Sequence, residues 1–154
     1  MGPVTATGPS SALITMTTMS QALRRQFDLQ EEDTEYLNAK GLPWETLIEG
    51  GTLWLLVHEW PVPDGYTIQT VSVALRLTGY PSGALDMAWF SPALARTDGS
   101  PIRATSVRTT IDGTPWQRWS RHRTSQNPWL PGVDGIPTHL ALVEHWLERE
   151  FARA

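Results

Sequence analysis

Eight consecutive residues, Trp116-Gln117-Arg118-Trp119-Ser120-Arg121-His122-Arg123, bring three arginines, two tryptophans, a serine and a histidine together. Guanidinium groups grip carboxylates and phosphates through paired N–H donors and stack on indole faces. Ser120 and His122 lie two apart, so an extended backbone points both the same way. A hydroxyl beside an imidazole is the smallest nucleophile-and-base pair, although an orienting acid and an oxyanion hole are also needed. No recognisable nucleophile elbow surrounds Ser120. Trp116 and Trp119 are three apart and fall on opposite faces of a continuing strand. Two readings stay open. In one, Trp116, Arg118, Trp119, Arg121 and Arg123 form a groove for an acidic or extended peptide. In the other, the arginines pair with carboxylates of the body while the tryptophans fill the core.

The charge distribution sharpens that choice. Residues 101–125 hold five arginines and one acid, Asp112, whereas the whole chain carries −4. The rest is therefore strongly acidic. A cationic patch on an acidic body suits an anionic partner or internal ion pairs. It disfavours broad nucleic-acid binding, which calls for a basic domain. There is no cysteine, so chemistry through a protein thiolate and disulfide bonding are both excluded. The four histidines, His58, His122, His139 and His145, include no HExxH pair. His139 and His145 are six apart, about 600° of helical rotation, and do not share a face. No metal and no cofactor is expected. Phosphate-binding glycine loops are absent, and the one lysine is Lys40.

The surrounding sequence indicates what must position these residues. The 154 residues, with 40% apolar character and eight tryptophans, suit one domain with a core. Residues 1–28 read as a disordered leader rich in Thr, Ser, Gly and Pro, and residues 29–154 as a single domain. No run approaches a membrane span, and no signal segment is read at the start, so the expected location is cytoplasmic. Leu29 to Lys40 reads as a helix with acids in its first turn, ended by Gly41. Thr52–Trp60, Thr70–Leu77 and Leu85–Phe90 read as strands joined by short turns, favouring an antiparallel meander. Val107–Ile111, Asp112-Gly113 and Pro115–Trp119 read as a hairpin. Thr138 to Phe151 reads as the final helix, with Leu140, Val143 and Phe151 inward. The expected class is α+β, with helices on one face of an antiparallel sheet.

Several stretches carry a resemblance. They are Leu42-Pro-Trp-Glu45, Leu53-Trp-Leu-Leu56, Pro61-Val-Pro-Asp-Gly-Tyr66, Gly79-Tyr-Pro81 and Leu85-Asp-Met87. The Trp116–Arg123 block, Asn127-Pro-Trp129, Pro131-Gly-Val-Asp134 and Thr138–Val143 follow. Together they resemble prokaryotic family E of the ubiquitin-conjugating-enzyme superfamily, over residues 29–151. The resemblance implies a four-stranded antiparallel meander with helices on one face. It also implies partners: a ubiquitin-like protein and an activating-enzyme-like protein. Ordinary members place a His-Pro-Asn motif and then a cysteine after the third strand. Here that region reads Phe90-Ser-Pro-Ala-Leu94, and a thioester on this chain is chemically impossible. The resemblance instead marks Arg118, Ser120, Arg121, His122 and Arg123, with roles left open.

Three functions are consistent with these residues. The first is a cysteine-less conjugating-enzyme-like module that binds a bacterial ubiquitin-like protein or its activating-enzyme partner. The second is cysteine-independent acyl transfer of a ubiquitin-like protein, with Ser120 as nucleophile and His122 as base. The third is a single-stranded nucleic-acid binder, for which the acidic remainder makes nucleic acid an unlikely partner.

Overall fold

The computed structural model describes residues 23–152. Most of the expected leader, residues 1–22, lies outside the described residues. In chain order the elements are α1 (Glu31–Lys40), β1 (Trp44–Glu49), β2 (Thr52–Pro61), β3 (Thr70–Arg76), β4 (Ala88–Ser91), β5 (Arg108–Ile111), β6 (Thr114–Trp119) and α2 (Ile136–Arg149). The class is α+β, as expected. The strand count is corrected. The sheet has six strands, not four, in the order β1-β2-β3-β4-β6-β5, and every neighbouring pair is antiparallel. The first four strands form the meander. The hairpin at Asp112-Gly113 then returns to that sheet and seats β6 against β4.

Local chemistry explains the turns. Gly50 and Gly51 both take positive φ, +56° and +83°, the geometry a two-residue hairpin turn requires. They join β1 to β2 with Glu49 opposite Thr52. Asp112 and Gly113 repeat the device at φ +55° and +76°. Helix α1 carries Glu31, Glu32 and Asp33 in its first turn, where the helix dipole favours acids, and stops at left-handed Gly41. Its last residue, Lys40, sets its ammonium 5.6 Å from the Tyr36 ring and 5.3 Å from the Trp60 ring. At the start of α2, Pro137 lies in the first turn and Gly135 N–H donates to Thr138 Oγ1 at 2.9 Å.

Both faces of the sheet are buried, for different reasons. Leu55, Val57, Val73, Leu75, Phe90 and Trp119 pack under Leu37 of α1 and Ile136, Leu140, Val143 and Leu147 of α2. The opposite face holds Leu47, Trp54, Leu56, Ala74, Met87, Trp89, Ile111 and Trp116. These residues are covered because the sheet curls on itself. Trp54 meets Trp89 edge to face with ring centres 5.0 Å apart. The curl brings the two hairpin turns together: Asp112 N–H donates to Glu49 Oε1 at 2.8 Å, and Asp112 Oδ2 lies 2.7 Å from Arg24 Nη2. Residues 24–26 run beside β1, with Gln26 N–H donating to Thr46 O and Thr46 N–H donating to Arg24 O, each at 3.0 Å. The Arg25 guanidinium lies 3.4 Å from the Trp44 ring centre.

The connection from β3 to β4 is tightly folded. A Cβ at Gly83 would lie 2.1 Å from the Thr78 carbonyl oxygen and 2.8 Å from Gly79 Cα. Both neighbours are backbone and cannot swing away. Gly83→Ala is therefore expected to destabilise the protein by about 1–3 kcal/mol, the usual cost of overpacking. A urea titration against wild type checks this.

Candidate functional site

Strand β6 ends at Trp119, and the next four residues leave the sheet between two loops. Ser120 N–H donates to Ala104 O at 3.0 Å, and Met87 N–H donates to Arg121 O at 3.1 Å. These bonds tie residues 120 and 121 to the loop before β5 and to the residue before β4. Trp119 is fully buried in the helix-side core, and Trp116 is 5% exposed in the opposite cluster. The two tryptophans thus take opposite faces, as their spacing requires, and both are core residues.

The arginines separate. Arg123 turns inward. Its side chain is 12% exposed, with Nη1 3.5 Å from Asp134 Oδ2 and the guanidinium 5.1 Å from the Trp129 ring centre. Its Nη2 donates to His139 Nδ1 at 3.3 Å, while His139 Nε2–H donates to the Met87 carbonyl at 2.9 Å. Only the neutral imidazole satisfies both bonds. Burial pushes the His139 pKa below its ordinary value. Below about pH 6.5 the unfolded imidazole takes up a proton that the native one refuses, so acid favours the unfolded state. Stability contributed by His139 is complete above that pH and declines below it. The fall in the urea midpoint between pH 7.5 and pH 5.5 is expected to be smaller in His139→Gln than in wild type.

Arg118, Ser120 and Arg121 are partly buried, and His122 is exposed. Arg118 Nε donates to Ser120 Oγ at 3.1 Å. Arg121 Nη1 donates to Arg103 O at 2.9 Å, and its guanidinium lies 4.8 Å from the Trp119 ring centre. His122 Nδ1 lies 2.7 Å from Asp86 Oδ2, an acid the sequence reading did not single out. Among the described residues, no hydrogen bond joins Ser120 to His122.

A cleft of about 540 Å³ opens beside this segment, walled by Arg96, Arg103, Ser120, Arg121, His122, Trp146, Arg149 and Glu150. Arg96 is already engaged, with Nη2 2.7 Å from Asp98 and Nη1 3.0 Å from Glu150. Arg103 and Arg149 are exposed, and among the described residues neither guanidinium meets a carboxylate. Arg103 comes from the loop before β5 and Arg149 from the last turn of α2, so only the fold brings them together. The cleft therefore holds more positive than negative charge and can receive an anion.

The architecture is that of a curled antiparallel sheet backed by two helices, with a thiol-free basic cleft where the chain leaves β6. The family model described as Prokaryotic E2 family E matches residues 29–150, and the chain belongs to that family. The family gives it an E2-like, that is ubiquitin-conjugating-enzyme-like, role in a prokaryotic ubiquitin-like pathway. No curated protein and no solved structure matches the chain. No helix among the described residues is long and apolar enough to cross a membrane.

Proposed function

We propose that this chain is a cysteine-less conjugating-enzyme-like module that binds a bacterial ubiquitin-like protein or its activating-enzyme partner. The cleft takes a carboxylate-bearing segment of that partner. The observation that carries this reading is the pair Arg103 and Arg149, exposed beside Arg121 in one cleft without carboxylates of their own. A guanidinium fork binds a carboxylate through two parallel N–H bonds, and the ligand's extended backbone finds further donors along the wall. Family membership supports the partner class.

Calorimetry with a bacterial ubiquitin-like protein tests the reading, and an activating-enzyme-like protein is the second titrant. Arg103→Ala combined with Arg149→Ala is expected to weaken binding by at least tenfold, since a charged hydrogen bond contributes about 1.5–3 kcal/mol. Raising the salt concentration weakens wild-type binding in the same direction. No heat with either titrant, or an unchanged affinity in the double variant, rules the module out.

A second reading rests on the Asp86–His122 contact, which orients an exposed imidazole at the cleft wall. It makes His122 the base and Ser120 the acceptor in cysteine-independent acyl transfer. Reconstitution with the activating enzyme, followed by intact mass spectrometry, is its test. Transfer that persists in Ser120→Ala excludes it.

A further inference from the structure

A second set of reactive groups lies on the sheet face that carries no helix. Glu45, His58 and Ser72 stand on three adjacent strands, β1, β2 and β3. The strand registers put Glu45 and Ser72 on the same face as Leu56 and Ala74, and His58, at the irregularity between Val57 and Trp60, reaches both with its ring. His58 Nδ1 lies 2.8 Å from Ser72 Oγ, and His58 Nε2 lies 2.7 Å from Glu45 Oε2. Glu45 is an acceptor at neutral pH, so Nε2 carries the proton and donates to it. Nδ1 then presents its lone pair to the Ser72 hydroxyl. Relative to the commonest serine–histidine–acid arrangement, the ring nitrogens have exchanged places, and the proton transfers are the same.

The acid is firmly held. Its side chain is 6% exposed, and Arg24 Nε lies 2.8 Å from Oε1. Burial opposes its charge, but the hydrogen bonds from Arg24 and His58 outweigh that and keep its pKa below the ordinary glutamate value. The other two groups are reachable, because the His58 side chain is 18% exposed and Ser72 is only partly buried.

We propose that Ser72, His58 and Glu45 form an acyl-transfer site for small activated carboxylic esters, separate from the arginine cleft. Ser72 Oγ attacks the ester carbonyl carbon while His58 Nδ1 accepts the hydroxyl proton, and Glu45 stabilises the resulting imidazolium. The ester C–O bond breaks, and the departing oxygen takes the proton from His58. This leaves an acyl ester on Ser72. Water then attacks that ester, gives a proton to His58, and releases the carboxylic acid as the proton returns to Ser72 Oγ. The order of events needs no oxidant, metal or thiol.

Labelling of the whole chain with a small alkyl fluorophosphonate tests the site, alongside turnover of 4-nitrophenyl acetate. One phosphonyl group is expected on Ser72 by peptide mapping, and Ser72→Ala loses both label and turnover. Turnover in His58→Gln is expected to fall about 100-fold, the usual scale of a general base. Absence of label from Ser72 in wild type overturns the proposal without reference to any variant. So does turnover in a folded His58→Gln protein equal to wild type, which would make the three groups a strand-bridging contact only. Neither outcome bears on the arginine cleft, whose calorimetric test is independent.

Discussion

Trp119→Ala is expected to lower the stability of this protein by about 3–5 kcal/mol, the range for deleting a large buried aromatic side chain. Trp119 is fully buried and lies edge to face with Phe90, ring centres 5.2 Å apart. Its Nε1–H donates to Gln117 Oε1 at 2.9 Å, and the same oxygen accepts Leu94 N–H at 2.9 Å. Deleting the indole opens a void between the sheet and α2, where the neighbouring side chains already sit close-packed. Since domains of this size are stable by only about 5–15 kcal/mol, the variant sits near the unfolding threshold. Guanidinium chloride titration followed by circular dichroism reads the loss. Arg103→Ala and Arg149→Ala, on the surface in the cleft wall, are expected to change stability by no more than about 0.5 kcal/mol. A loss below 1 kcal/mol for Trp119→Ala would mean the indole is not part of the core.

The second large effect is expected at Glu45. Its carboxylate receives Arg24 Nε at 2.8 Å, Arg24 N–H at 3.2 Å and His58 Nε2 at 2.7 Å. Glu45→Ala removes the acceptor of all three, leaving the mostly buried His58 donor without a partner while Arg24 stays partly solvated. Removing one partner from a buried ionic contact costs about 3–5 kcal/mol. Arg24 also reaches Asp112 and its side chain is 37% exposed, so solvent screens the contact and the loss is expected below that range, at about 1–2 kcal/mol. The pH dependence has a definite sign. The folded Glu45 pKa is depressed, so its contribution is complete above the ordinary glutamate range and disappears as acid titrates the folded carboxylate. Denaturation midpoints of wild type and Glu45→Ala are thus expected to converge as pH falls below about 4.5, where the unfolded carboxyl begins to bind its proton. Midpoints that stay equally far apart down to the acid limit would exclude an ionic contribution.

Much of the fold was legible in the residues. The alternation of Val71, Val73 and Leu75 marked β3, Asp112-Gly113 marked the hairpin, and the acid-rich start and Gly41 stop marked α1. Strand β1 was not read, because Trp44-Glu-Thr-Leu contains four buried residues in succession and one is a glutamate. The signal that would have found it is Gly50-Gly51, a two-residue turn that needs a strand on each side. Residues 23–28 were assigned to the leader by composition. Their contacts with β1 include backbone bonds, the Arg24–Glu45 ion pair and an Arg25–Trp44 stack, which composition does not encode.

The candidate cleft was half legible. The cationic block announced itself, but the sequence could not say which of its arginines turned inward. Arg123 is captured by Asp134, eleven residues away across an irregular loop, and Trp129 stacks on it. Conversely Asp86, Arg96 and Arg149 reach the cleft or its histidine from three different connections and elements. Their sequence separations leave no periodic trace.

Lys40 closes the account of what this chain can receive. It is the single lysine in 154 residues, and it lies at the exposed end of α1 against Tyr36 and Trp60. If a ubiquitin-like tail is ever joined to one of this protein's own side chains by an isopeptide linkage, that ammonium is the one amine on which it can form. A chain that carries arginine at all but one of its cationic positions offers an isopeptide-forming enzyme very little to tag.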